Sequence, residues 1–233
     1  MQNGKNFMKI TFLGQNGFLI ESKNSTFVID PYLSNSVEKI EPKNRRRQKI
    51  DESFLEIKPN VVVITHSHAD HYDEETLDKL LESNAGATLL VPPSVFFGAK
   101  KRYPDCNCVY YRSGTSYSAG GALFTAVKAE HSDPEAIGAI ISCEGKTLYF
   151  TGDTLYSERV LNSLPKEKFD AVFLPINGRG NNMNAEDAAR FLKRIQARFA
   201  VPAHFGMFDV MTGKELLCDN VVIPEIYKEI VLK

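Results

Sequence analysis

Val61-Val62-Val63-Ile64-Thr65-His66-Ser67-His68-Ala69-Asp70-His71 joins an unbroken β-branched run to a cluster of histidines. A continuous apolar run of that length reads as a short strand buried on both faces, the kind found inside layered α/β folds. The polar segment after it lies just beyond the strand's C-terminal end, where loops on a rigid scaffold gather functional side chains. Further on, Asp73 to Leu81 places acidic residues first and apolar Leu77, Leu80 and Leu81 later, which predicts a helix. Thr88 to Val91 reads as another strand, and Pro93 to Lys100 as another helix.

Upstream, Lys9 to Leu13, Phe18 to Glu21 and Phe27 to Ile29 are β-like runs separated by turns at Gly14-Gln15-Asn16-Gly17 and Ser22 to Ser25. Asp30-Pro31 closes this meander. Ser34 to Glu52 is polar and basic and reads as a long loop; its Arg45-Arg46-Arg47 run is either a lid over a phosphate or a solvated face. The second half repeats the order of the first. Ala122 to Lys128, Ala136 to Ser142 and Thr147 to Phe150 form a second meander, and Ala171 to Leu174 a second buried-type strand. A polar loop, a helix over Ala185 to Ala197 and a strand over Phe199 to Val201 follow. Two halves of this form predict two β-sheets packed together with helices outside, as one domain over residues 1–233.

The chain has five histidines, and two lie outside the cluster: His131 after Thr125 to Glu130, and His204 after Phe199 to Ala203. Thr147 to Thr151 leads in the same way into Gly152-Asp153. All four segments therefore sit just past strand ends and can converge at one edge of a sheet. Imidazole and carboxylate are ligands for zinc and similar divalent ions. Two histidines at i and i+2 can hold one ion, Asp70 and His71 can serve a second, and a carboxylate such as Asp153 can bridge them. Ions roughly 3.5–4 Å apart can share a hydroxide and stabilise the oxyanion that follows.

Composition narrows the class. With 233 residues and 43% hydrophobic content the chain can build a core without disulfides or a structural metal, so a metal here serves chemistry. A net charge of −1 gives no global attraction to nucleic acid or anionic membranes. Four scattered cysteines read as a reduced thiol set rather than a disulfide scaffold or, at Cys106 and Cys108, a zinc site. No run approaches the ~20 apolar residues of a membrane span, and no signal peptide is visible, so the cytoplasm is expected.

Thr65-His66-Ser67-His68-Ala69-Asp70-His71, followed by His131, Thr151-Gly152-Asp153-Thr154 and His204 in that order, resembles the metallo-β-lactamase superfamily over nearly the whole chain. That resemblance implies a four-layer αββα sandwich. It also implies His66, His68 and His131 on a first metal, Asp70, His71 and His204 on a second, and Asp153 between them. Position 68 is His, unlike the Glu of diiron oxygen-reducing members, and no Cys stands in the second-metal set as in many true β-lactamases. Only 29 residues follow His204, which leaves little room for the C-terminal helical region of glyoxalase II-like members. Leu13-Gly14, Gly17 to Glu21, Ile29-Asp30-Pro31, Leu174 to Arg179, Asn184 to Ala188 and Pro202 to Phe208 resemble the lactonase-like branch that includes L-ascorbate-6-phosphate lactonase. Gln15-Asn16 replaces a His often seen in related chains.

The expectation is a hydrolase carrying two divalent ions, with zinc favoured and manganese or iron alternatives. A metal-bound hydroxide, oriented by Asp70, would attack a small anionic ester, lactone or phosphodiester. Arg179, in a glycine-flanked loop, would grip carboxylate or phosphate in a fork, and Asn177 would donate to an oxyanion. With every histidine a ligand, the general acid is unassigned. Two alternatives stand beside this reading: a nuclease, which would need a basic groove, and a metal-binding sensor without catalysis. A small-molecule partner is expected, with no membrane; homo-oligomerisation is left open.

Overall fold

The computed structural model describes residues 8–232. Lys9–Gly14 (β1), Gly17–Glu21 (β2) and Thr26–Ile29 (β3) form an antiparallel meander. Val61–Val63 (β4), Thr88–Val91 (β5) and Asn107–Tyr110 (β6) extend it in parallel to a six-stranded sheet of order β1-β2-β3-β4-β5-β6. The second sheet repeats this plan. Ser116–Ala119 (β7), Ala122–Lys128 (β8), Ile137–Cys143 (β9) and Lys146–Phe150 (β10) pair antiparallel, then Phe169–Pro175 (β11) and Ala197–Ala203 (β12) join in parallel.

Strand alternation decides which face each side chain serves. Val61 and Val63 of β4 enter the core between the sheets, while Val62 packs outward. On β11, Ala171 and Phe173 point inward and Val172 and Leu174 outward. Both strands are thus apolar on both faces, which is why neither shows an alternating pattern. Aromatic rings join the sheets: Phe18 of β2 lies 5.2 Å from Phe150 and 4.9 Å from Phe173, and Phe27 lies 5.1 Å from Phe124.

Helices cover the outer faces. After the short helix Ser36–Ile40 (α1), Glu74–Leu81 (α2) and Pro93–Arg102 (α3) pack Leu77, Leu81, Val95 and Ala99 on the first sheet. Glu158–Ser163 (α4) and Ala185–Leu192 (α5) pack Val160, Ala188 and Phe191 on the second. The result is the four-layer αββα sandwich expected from the sequence. No helix among the described residues is long and apolar enough to cross a membrane.

Local differences from the sequence reading have physical reasons. The last helix stops at Leu192 rather than Ala197, because Ala197 and Phe199 pair with Phe169 and Ala171 of β11. The ladder overrides helical spacing at Ile195. Strands β6 and β7 escape sequence detection; each is the outer strand of its sheet and half exposed, so its apolar signal is weak. The stretch read as a loop contains α1, and a 3-10 turn follows over Glu52–Leu55.

Arg46 is not a phosphate lid. It is buried and clasps the segment to the body, donating to the carbonyls of Gln48 and Tyr32 at 2.9 and 2.8 Å and to the Tyr227 hydroxyl at 3.0 Å.

Candidate metal centre

Strand direction brings the predicted residues together. Because β1 and β3 are both antiparallel to β2, the turn after β1 lies at the same edge as the ends of β3 and β4. Because β8 and β10 are both antiparallel to β9, the segment after β8 joins the ends of β10, β11 and β12. Gln15 and Asn16, Asp30, His66 to His71, His131, Asp153, Asn177 and His204 all follow such ends.

All seven predicted ligands converge there. Three groups have ligand atoms within 4.8 Å of one another: His66, His68 and His131; Asp70, His71 and His204; and His66, His71 and Asp153. Asp153 reaches both histidine sets. Its Oδ2 is 4.0 Å from His66 Nε2, 3.9 Å from His131 Nε2 and 3.1 Å from His204 Nε2, and its Oδ1 is 3.4 Å from His71 Nε2.

Four of the five rings are tied down through one nitrogen and turn the other inward. His71 Nδ1 meets Asp30 Oδ2 at 2.8 Å, and His131 Nδ1 meets the Asn181 carbonyl at 3.2 Å. His66 Nδ1 lies 3.1 Å from Thr65 Oγ1, which donates its own proton to Asp30, leaving lone pairs to accept from the ring. His68 Nε2 lies 3.3 Å from Ser132 Oγ, so its Nδ1 faces inward, 3.2 Å from His131 Nε2. His204 is held differently: the Asn177 amide nitrogen lies 2.9 Å from its Nδ1, and Gln15 Nε2 lies 3.2 and 3.1 Å from its two ring nitrogens. The inward nitrogens of His66 and His71 are buried and have no hydrogen-bond partner. Two orphaned buried imidazole nitrogens, facing carboxylates among further imidazoles, are the donor set that fits divalent metal.

Charge is divided unevenly. Burial, then the neighbouring His71, holds His66 well below the usual imidazole range, and burial also lowers His131. At His71 burial opposes protonation, but Asp153, Asp70 and Asp30 outweigh it and hold the ring well above that range. His204 rises to about 9, burial being overcome by Asp153 and Asp70. Desolvation raises both Asp70 and Asp153, yet histidine contacts leave each below the ordinary carboxylate range.

Several residues in this arrangement were not assigned from sequence. Gln15 Nε2 donates to Asp70 Oδ2 at 2.7 Å, and Asn16 and Asn182 donate to the two oxygens of Asp153 at 3.3 and 2.8 Å. Asp133 accepts from the Ser67 backbone N–H at 3.0 Å and from Ser94 Oγ at 2.7 Å, holding the loop between His66 and His68. Only the Gln15-Asn16 and Asp30-Pro31 dipeptides at strand ends signalled any of this. Asn177, expected to face an oxyanion, lines the cavity and also places its amide nitrogen 2.9 Å from His204 Nδ1.

A cavity of about 520 Å³ opens beside the cluster and is lined by Gln15, Asp70, Asp153, Asn177, Arg179 and His204 among others. Val37, Ile40, Glu41 and Asn44 of the 34–52 segment also line it, and none of Arg45, Arg46 and Arg47 does.

Residues 9–204 match a family described as a beta-lactamase superfamily domain. A UPF0173 metal-dependent hydrolase of Alkaliphilus metalliredigens is 29% identical over 231 residues, spanning 95% of this chain and 92% of that protein. Among solved structures, Igni18, a metallo hydrolase from Ignicoccus hospitalis, is similar at 21% identity and a TM-score of 0.72, covering 96% of this chain and 97% of its own. An isothiocyanate hydrolase from Delia radicum gut bacteria is similar at 19% identity and a TM-score of 0.74, covering 96% and 98%.

Proposed function

This chain belongs to the metallo-β-lactamase superfamily, and we propose that it is a metal-dependent hydrolase acting on an ester, lactone or phosphodiester bond of a small anionic molecule. The observation that carries this reading is the convergence of five imidazoles and two carboxylates into three groups whose ligand atoms lie within 4.8 Å of one another, with the buried inward nitrogens of His66 and His71 lacking any hydrogen-bond partner.

His66, His68 and His131 would hold one divalent ion, Asp70, His71 and His204 a second, and Asp153 would lie between them. Zinc suits this donor set, and manganese or iron would also be accommodated. When bound, such ions supply Lewis acidity and a hydroxide nucleophile near neutral pH.

The chain's own residues do the rest. Asp30 fixes the ring of His71, and Thr65 fixes that of His66, so both present Nε2 without rotating. Gln15 holds Asp70, leaving that carboxylate aimed at the cavity, where it can accept a proton from an attacking water and orient it. Asn16 and Asn182 fix Asp153 from both sides. Arg179 supplies a guanidinium at the same cavity for an anionic substrate group. The cavity volume lies in the range of small-molecule sites, which supports a metabolite-sized substrate over a polymer.

The test combines metal analysis of the purified chain with rates on a panel of lactones, small phosphodiesters and nucleic acid, with and without added zinc or manganese. The expected result is stoichiometric metal and turnover of small substrates, with Asp70→Ala losing at least about a hundredfold in kcat/KM. Protein that takes up no metal, or an Asp70→Ala variant with full metal content and full activity, would sink the proposal.

A further inference from the structure

Two features of the cavity beside the cluster specify what that anionic substrate must be. The first is Arg179, in the loop after β11. It is exposed, and it makes no hydrogen bond or ion pair with any described residue. It is also the only lysine or arginine among the described residues that line the cavity. Glu41 and Asp209 share that lining, in addition to Asp70 and Asp153.

The second is an apolar wall. Ile40, the last residue of α1, is 69% exposed, and Val37 lies three residues before it on the same helix face. Phe208 packs in one apolar cluster with Val37, and all three line the cavity. A single exposed isoleucine needs no explanation. One that extends an apolar strip along the wall of a reaction cavity offers area that a ligand can cover.

Charge then selects the ligand. A nucleic acid would need several cations along its track, and the lining offers one. A phosphate dianion would set two charges against one guanidinium, with Glu41 and Asp209 nearby to repel it. A carboxylate brings one charge, as a phosphodiester would, and its two coplanar oxygens match the planar guanidinium fork.

We infer that the substrate is a monoanion: an ester or lactone whose single carboxylate is held by Arg179 and whose apolar body lies on Val37, Ile40 and Phe208. This inference rests on the hydrolase reading for the reaction but not for the recognition.

Calorimetric titration of the zinc-loaded full chain with straight-chain carboxylates, from acetate to decanoate at pH 8, tests it. Affinity should rise about three- to fourfold per methylene until the wall is covered. Ile40→Ser should flatten that rise to less than twofold per methylene. Arg179→Met should weaken every carboxylate about tenfold while leaving the rise intact. Both positions are exposed, so neither substitution threatens the fold. Hexyl phosphate, a dianion at this pH, should bind more weakly than heptanoate. No dependence on chain length, a rise unchanged by Ile40→Ser, affinities unchanged by Arg179→Met, or tighter binding of hexyl phosphate would each overturn the inference. Those results bear on the role of Arg179 and the apolar wall, whereas metal-dependent hydrolysis itself stands or falls on metal uptake and Asp70. If the chain takes up no metal, the same titrations of the metal-free protein still decide the recognition.

Discussion

Asp30 lies under the metal centre and touches two of its supports. Fully buried, it accepts from the Thr65 backbone N–H at 2.8 Å and from Thr65 Oγ1 at 2.6 Å, and it pairs with His71 Nδ1 at 2.8 Å. Asp30→Asn keeps the volume but turns an amide N–H₂ toward one of these donors and removes the charge that anchors His71. Metal affinity should fall about 10- to 100-fold, and the metal-free protein should lose about 1–3 kcal/mol. Competition against a chelating dye, together with urea unfolding, reads both quantities. Affinity within twofold of the parent would show that Asp30 does not position the ring.

His204 gives a pH signature in the metal-free chain. Burial disfavours its charge, but Asp153 and Asp70 raise it to about 9, above the value of the unfolded chain. Its ion pairs therefore add stability in full below roughly pH 6.5, and that stability is lost as pH rises through the folded value. Chelator-treated protein should lose on the order of 3 kcal/mol between pH 6 and 10, and His204→Gln should flatten the slope. An equally steep slope in the variant would assign the effect elsewhere.

At the scale of elements, the site depends on how closely two loops approach. Gly152, between β10 and Asp153, has a φ of 62°; a Cβ there would meet the Ile137 carbonyl and Thr65 Cβ, each at 2.9 Å. Those neighbours are backbone and the stem of a packed side chain, so neither yields cheaply. Gly152→Ala should cost about 2–4 kcal/mol through combined left-handed strain and overlap. It should also weaken metal binding, because Thr65 and Asp153 are pushed apart. Denaturant unfolding of the metal-free variant separates the first effect from the second; a loss below about 0.5 kcal/mol would show that the loops can shift.

Element boundaries were less legible than element identities. The buried strands at Val61–Val63 and Phe169–Pro175 announce themselves because both faces are apolar. Edge strands β6 and β7 do not, and α5 stops short because the pairing of β12 with β11 claims the residues after it.

Across the whole molecule, the centre joins the two sheets at one edge, beside direct contacts such as the Ile137 N–H donating to the Thr65 carbonyl at 3.0 Å. His66, His68, Asp70 and His71 follow a strand of the first sheet, and His131, Asp153 and His204 follow strands of the second. Metal would act as a clamp between the sheets as well as a reagent. Removing it with a chelator should lower Tm, by an amount corresponding to about 3 kcal/mol at a metal concentration a hundred times Kd. His131→Ala should bring the untreated protein close to the chelated one. A scan in which the chelator leaves Tm unmoved would show that the clamp carries no stability.

The two-sheet sandwich and the seven converging residues were legible in the residues alone, because local apolar patterning fixes strands and ligand chemistry is written in residue type. Tertiary structure alone decided the supports. Gln15, Asn16, Asn182 and Asp133 are ordinary polar residues in turns, and only the parallel and antiparallel order of the strands sets them against Asp70, Asp153 and the Ser67 backbone. The same folding buried Arg46 as a clasp and left Arg179 free at the cavity, a distinction that depends on which loop packs on which edge and that no local pattern encodes.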